Sequence, residues 1–206
     1  MSIHQPVASK KRRKRSPEEA RQEALAAARE LLMTGGPKAV TLTNVGKAVG
    51  MTHANVIHHF GSAAELQSAL MGMMVADLTQ SIDEAVAHVR SDEAAPRQLV
   101  DIVFDAFEKG GAGMLAAWMA LSQDVSHLEP VAEAVKLLVR AIEERAGVAG
   151  DEVAHRRVTS AVLLIALTAF GDSVIGPQLR DMLGRDREAA RRVTARLLPT
   201  FFQDAD

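Results

Sequence analysis

The sequence predicts an all-α protein, with an N-terminal helix-turn-helix domain followed by a longer helical C-terminal region. Three observations carry this. Strand signals are nearly absent: there is no Tyr, Phe and Trp number six and one, and no stretch alternates apolar and polar residues. Helix start signals recur, since Ser16-Pro17-Glu18-Glu19 and Ser62 to Glu65 both have the form of a capping box. Residues 41–60, TLTNVGKAVGMTHANVIHHF, read as two short helices joined by a tight turn.

The elements follow in order. Ser16 caps a first helix with Pro17 at its first position, and Gly35-Gly36-Pro37 ends it; Ala24, Leu25, Ala28, Leu31 and Leu32 form its apolar stripe. In the next segment Leu42, Val45 and Val49 share one helix face, Val56 and Phe60 share another, and Met51 bridges them. Gly46 stands where the backbones approach and Gly50 where the chain turns through a left-handed conformation. Thr41 and Thr52 are placed to cap the two helices. An ordinary helical hairpin fits the same spacing. Ser62 opens a helix reaching about residue 90, with Leu66, Leu70, Met73, Met74 and Leu78 along it. Further helices are expected over 93–109, 114–124, 130–145, 151–175 and 185–202, broken at Gly110-Gly111, Gly147, Gly150 and Gly176-Pro177. The segment from Val162 to Leu167 is apolar on every side and needs cover on several faces, which a second copy in a twofold interface would supply.

Charge divides the chain. Residues 1–61 hold ten Lys and Arg against four Glu, a net of +6, while residues 62–206 hold fourteen against twenty-two acids, a net of −8. A basic head on an acidic body points to a nucleic acid partner for the head. Lys10, Lys11, Arg12, Arg13, Lys14 and Arg15 form an unbroken basic block, read as a disordered arm that follows phosphates or enters a minor groove. A solvated tail and an import signal are the other readings of that block. The 206 residues, 48% of them apolar, can build a sizeable core, and the absence of Cys removes disulfides and thiolate metal sites. No secretory leader is evident, and the longest uncharged apolar run, Val158 to Gly171, is too short for a bilayer. The expectation is a soluble cytoplasmic protein with no membrane partner.

Catalysis is not expected, because the acids lie mostly on mixed-charge helix faces and the histidines are scattered. His53, His58 and His59 do not share one helix face, so neither a metal site nor a cofactor is expected. A nonspecific DNA-binding structural or adaptor protein remains the alternative, distinguished by its lack of sequence preference.

Thr41 through Phe60, followed by Gly61-Ser62 and Glu65-Leu66, resembles the DNA-binding segment of the TetR (tetracycline repressor-like) transcriptional regulators. Val45, Gly50, Thr52, His59, Phe60 and Gly61 carry the family spacing, and the resemblance covers residues 17–78. It implies a homodimeric repressor on a palindromic double-stranded DNA operator, released by a small-molecule effector of unidentified chemistry. The last two long helices would pair as a four-helix bundle. The domains would be a basic arm over 1–16, the helix-turn-helix domain over 17–78 with its motif at 41–60, and an effector-binding and dimerisation domain over 79–206.

Carried over, the recognition helix runs from about His53 to His59, with Thr52, His53 and Asn55 toward the groove and Thr41, Ile57 and His59 near the backbone. His58 on the same helix and Lys47 on the preceding one complete the candidate DNA contacts. Asn55 can pair bidentately with adenine, Thr52 can donate to phosphate, and His53 can bond a base edge. Asn55 and Lys47 also fit ordinary solvated positions. Three residues depart from the family pattern: Ile57 replaces a phosphate-binding tyrosine, Ala54 a glycine and Ala63 a lysine. Loss of those contacts would leave the basic arm to compensate. Met71, Met74, Phe104, Phe107, Met114, Trp118 and Met119 are candidates for an apolar effector pocket, or simply core, with Asp124, His127 and Asp172 as polar companions.

Overall fold

The computed structural model describes residues 16–88, 95–122 and 128–201, and the basic block at 10–15 lies outside them. Among the described residues nine α-helices follow in order: α1 Pro17–Gly35, α2 Leu42–Val49, α3 His53–Phe60, α4 Ala63–His88, α5 Ala95–Glu108, α6 Ala112–Ser122, α7 Glu129–Ala146, α8 Glu152–Met182 and α9 Ala189–Leu197. Short 3-10 turns occupy Pro37–Ala39 and Leu198–Phe201, and the described residues contain no strand.

Both halves of the capping box at Ser16 are made: its Oγ accepts from Glu19 N at 3.1 Å and its own N–H donates to Glu19 Oε2 at 2.8 Å. That fixes the start of α1, whose buried Ala24, Leu25, Ala28 and Leu32 face α2, α3 and α4. Leu31 is only half-buried, at the edge of this core. The head core also takes Leu66, Leu70, Met71 and Met74 from α4 and Ala112 and Leu115 from α6. A second core joins Ile82 of α4 to α5, α7, α8 and Leu198. The cores therefore divide along α4 between Met74 and Ile82, so one rigid helix belongs to both.

α4 and α7 run side by side in the same direction and, among the described residues, are the most extensively packed pair of helices; two of their contacts fix the pairing at its ends. Near the head, a Cβ at Gly72 would lie 3.0 Å from the Pro130 carbonyl oxygen, so the helices meet closely there and a larger residue would push them a few tenths of an ångström apart. At the far end Arg145 holds Asp83 in an ion pair at 2.8 Å. α9 is fastened to α5 by charge instead. Arg191, 5% exposed, reaches Asp101 Oδ1 at 3.3 Å, Asp105 Oδ1 at 2.7 Å and Glu108 Oε2 at 3.1 Å, and its guanidinium lies 5.3 Å from the Phe104 ring centre. Burial pushes the Asp105 carboxyl up, but hydrogen bonds from Lys109 and Arg191 outweigh it and hold the group below the ordinary aspartate range.

Two expectations need correction. Gly176-Pro177 does not end a helix: α8 continues to Met182. Proline costs one backbone hydrogen bond, but Asp172 and Arg180, both largely buried, form an ion pair that spans the turn containing Pro177. The final helix is also shorter than expected. Asp186 Oδ1 accepts from Glu188 N at 2.8 Å and holds a turn before α9 starts at Ala189, and the chain tightens to 3-10 geometry at Leu198, beside Pro199. Only α8 of the last two helices is long. Among the described residues it is also the one helix long and apolar enough to cross a membrane by length and composition, so the shorter run at Val158 to Gly171 understated its extent. Its Val158, Ala161, Ile165 and Ala169 are buried in the body.

Candidate nucleic-acid interface

The reader is built from its turn outward. Gly50 closes α2 in a left-handed conformation, φ 67° and ψ 32°, which an L side chain adopts only with strain. A Cβ at Gly46 would lie 2.9 Å from the Met51 carbonyl oxygen and 3.3 Å from Val56 Cγ2, so α2 and α3 meet backbone to side chain there. Thr41 Oγ1 accepts from Asn44 N and Thr52 Oγ1 from Asn55 N, both at 3.2 Å, so each threonine caps its helix. Each hydroxyl keeps its proton for a phosphate oxygen. Thr43 Oγ1 lies 3.3 Å from His53 Nδ1, tying the outer faces of the two helices together.

Val56 and Phe60 are buried, which sets the rotation of α3. At 3.6 residues per turn, His58 points directly away from them, flanked by Ala54 and Asn55, and all three are exposed. Thr52, His53 and Ile57 are exposed at the margins, Lys47 is exposed on α2, and His59 and Thr41 are half-buried. The far end of α3 is clamped from α1: Arg21 donates to the His59 carbonyl oxygen at 2.5 Å and its guanidinium lies 4.5 Å from the Phe60 ring centre. Gln67 of α4 donates to the Val40 carbonyl oxygen at 3.1 Å, fastening the start of the reader as well. The exposed face is thus presented by short helices whose register is held at both ends. Its backbone donors and polar tips can meet phosphates and base edges.

Of the residues expected from sequence, Lys47, His53, Asn55, Ile57 and His58 are each exposed, Thr41 and Thr52 cap their helices, and His59 is half-buried. Thr43 and Arg21 went unmarked. Arg21 carries no motif, but Thr43 lies next to Leu42 on the amphipathic helix and its outward position follows from the helical period.

The pattern of the bacterial regulatory proteins of the tetR family matches residues 24–70, which span α1 through the first part of α4. The chain carries a tetR-family domain. No curated protein matches it in sequence, whereas solved structures share its whole architecture. Thermus thermophilus FadR, a TetR-family transcriptional repressor in complex with lauroyl-CoA, is 18% identical with a TM-score of 0.63, covering 90% of this chain and 96% of that one. The TetR-family repressor AlkX from Dietzia sp. strain DQ12-45-1b is 18% identical with a TM-score of 0.61, covering 88% and 95%. The multidrug binding protein EbrR, complexed with ethidium, is 18% identical with a TM-score of 0.56, covering 87% and 98%. At these identities the likeness shows that the chain shares their fold. The family is one of DNA-binding transcription regulators.

Behind the tetR-type head, α4, α5, α7 and α8 enclose a cavity of about 700 Å³. Val75, Leu78 and Ile82 line it from α4, Leu99, Val103 and Phe107 from α5, Leu138, Val139 and Ile142 from α7, and Val162, Leu163 and Ile165 from α8. Of the seven residues expected to line a pocket, Phe107 does. Met71 and Met74 belong to the head core, Met119 packs against it, and Phe104 fills the body core. Met114 and Trp118 are exposed on α6. Asp172 pairs with Arg180, and Asp124 and His127 lie outside the described residues.

Proposed function

We propose that the protein is a homodimeric, sequence-specific transcriptional repressor, released from a palindromic operator when a small molecule enters the body cavity. The observation that carries this is the outward face of α3, Ala54, Asn55 and His58, held in fixed register on a tetR-type head. Asn55 serves adenine, His58 a base edge or phosphate, and Lys47, Thr41 and Thr52 the backbone; the block from Lys10 to Arg15 adds sequence-independent affinity. A DNA-bound regulator of this kind works in the bacterial cytoplasm.

An exposed apolar stripe supports the dimer. Leu163 and Leu167 on α8 are 59% and 60% exposed, Val174, Ile175 and Met182 follow on the same helix, and Val193 and Leu197 stand out on α9. Two copies of this stripe facing each other would bury it in a four-helix seam, and the hydropathy of α8 is then explained without a bilayer. Similar chains bind lauroyl-CoA and ethidium, which supports a small-molecule effector here.

The packing of α4 against α7 provides the coupling. With 1.5 Å per residue, Gly72 stands roughly 14 Å from the head end of α4 and roughly 17 Å from Asp83. A displacement at the cavity, pivoting where Gly72 meets Pro130, returns at the head with comparable size and opposite sense. α1 is tied to the cavity side of this pivot through the Arg29–Asp77 ion pair at 2.6 Å, so it feels the same displacement directly. A hundredfold release needs about 2.7 kcal/mol of coupling, within the usual allosteric range.

The test is selection of bound fragments from random duplex DNA by the full chain at near-physiological salt. A twofold-symmetric consensus is expected. Salt-sensitive retention with no consensus would replace the regulator by a nonspecific DNA-binding protein.

A further inference from the structure

We infer that the cavity takes an aliphatic chain carrying an anionic head, with the Asp83–Arg145 pair as the head-group gate. This rests on the effector reading above and names the class of ligand. Polar groups in the lining are few, and two of them are already satisfied. Thr79 Oγ1 donates to the Val75 carbonyl oxygen at 3.0 Å and Thr159 Oγ1 to the His155 carbonyl oxygen at 2.8 Å, so both hydroxyls present methyl groups inward at little cost. What remains polar is the ion pair, and its two side chains line the cavity while staying 42% and 41% exposed, which sets them at its mouth.

The lining also discriminates among apolar ligands. Planar and quaternary cations are recognised by several aromatic faces or an unpaired carboxylate. Among the described residues Phe107 is the one aromatic in the lining, and the one carboxylate, Asp83, is paired. Branched aliphatic side chains cover the rest and favour an alkyl chain. Along α7 the lining runs from Val135 to Ala146, roughly 16 Å of helix, room for an extended chain of about ten to twelve C–C bonds. At the mouth, Arg145 offers five N–H donors in a planar fork, of which Asp83 needs two at most. An anionic head can therefore bind the outer edge of the guanidinium and pull it from Asp83, whereas a cationic head would have to displace Arg145 from its partner. Loosening this pair removes one tie between α4 and α7 at the end of their contact away from the head.

Three probes of equal chain length separate the contributions: dodecanoate, dodecanol and dodecyltrimethylammonium, titrated calorimetrically against the full-length protein below their micellar concentrations. Dodecanoate should bind at least tenfold more tightly than dodecanol, and the cation most weakly. In Arg145→Ala the order should invert, with dodecanoate losing at least tenfold and the cation gaining, because Asp83 is then unpaired. Arg145→Lys, which keeps the charge without the fork, should retain part of the preference and controls for misfolding. Equal binding of all three probes, or an order unchanged in Arg145→Ala, would overturn the head-group inference and leave the cavity as an effector site. Binding of none of them, with the consensus DNA still bound, would overturn the aliphatic class as well. Failure to select any consensus is separate and strikes the regulator reading itself.

Discussion

The head and the body of this chain are both helical, yet they use space differently. Around α2 and α3 the packing leaves no room for one further methyl: a Cβ at Gly46 meets backbone at 2.9 Å. The body encloses a cavity of about 700 Å³ and leaves leucines of α8 more than half exposed. A reader must hold its side chains to a fixed register, which close packing enforces. A body that takes a ligand and a second copy keeps surfaces open for both. α4 runs through the two regions and is the physical link between them.

Removing the body's exposed stripe should have the largest effect. Leu167→Asp with Ile175→Asp should give a monomer by sedimentation equilibrium, and affinity for a two-half-site DNA should fall about 100-fold, because the second half-site is no longer tethered. A double variant that stays dimeric would move the interface elsewhere.

Next comes the charge hub. Arg191→Ala should cost about 2 kcal/mol in denaturant unfolding, toward the low end for a broken buried pair because its carboxylates keep some water. The sign with pH is fixed by Asp105, whose folded pKa is depressed. Its contribution is present above the ordinary aspartate value of about 3.9 and is lost as pH falls through the folded value. The variant should therefore lose stability less steeply than the native protein below about pH 4. A parallel pH profile would mean that Asp105 is held low by Lys109 alone.

Matched glycine substitutions sharpen the contrast in space. Gly46→Ala should destabilise by about 1–3 kcal/mol through overpacking. Gly171→Ala has nothing within 4 Å of the new Cβ; in the monomeric background it should stabilise by about 0.5–1 kcal/mol, as alanine does in a helix interior. Similar signs at both positions would erase the distinction.

The subtlest change is one of preference. Asn55→Ala should relax discrimination at one base pair of each half-site by about 1–3 kcal/mol, read by competition between consensus and mutated duplexes. A uniform loss against all sequences would make Asn55 a backbone contact.

The head was legible in the sequence because its constraints are local. Gly46, Gly50, the capping threonines and the Val56–Phe60 pair each fix geometry within a few residues, and together they give the orientation of α3. His58 was harder, since its position opposite the core depends on which residues of α3 are buried. The body was legible only as helices. Whether Met71 faces the head core or a cavity depends on which neighbour α4 meets at that level, and no local pattern states that. α5 did hold a usable signal: Leu99, Val103 and Phe107 stand four apart on one face while Asp101, Asp105 and Glu108 form the other. The reach of α8 past Pro177 rests on Arg180 folding back to Asp172, a pairing set by a buried environment that spacing alone does not reveal.

Coupling between cavity and reader is tested most directly by distance. The chain has no Cys, so Ala48→Cys gives one spin label per subunit at an exposed position of α2. Label-to-label distances in the dimer should be compared between this variant and the same variant carrying Ala166→Phe, which fills the cavity from α8 without any ligand, after equal melting behaviour is established. A shifted distance distribution, with weaker binding to the consensus DNA, is the predicted result. Identical distributions and identical DNA affinity would contradict a body that controls its reader through α4.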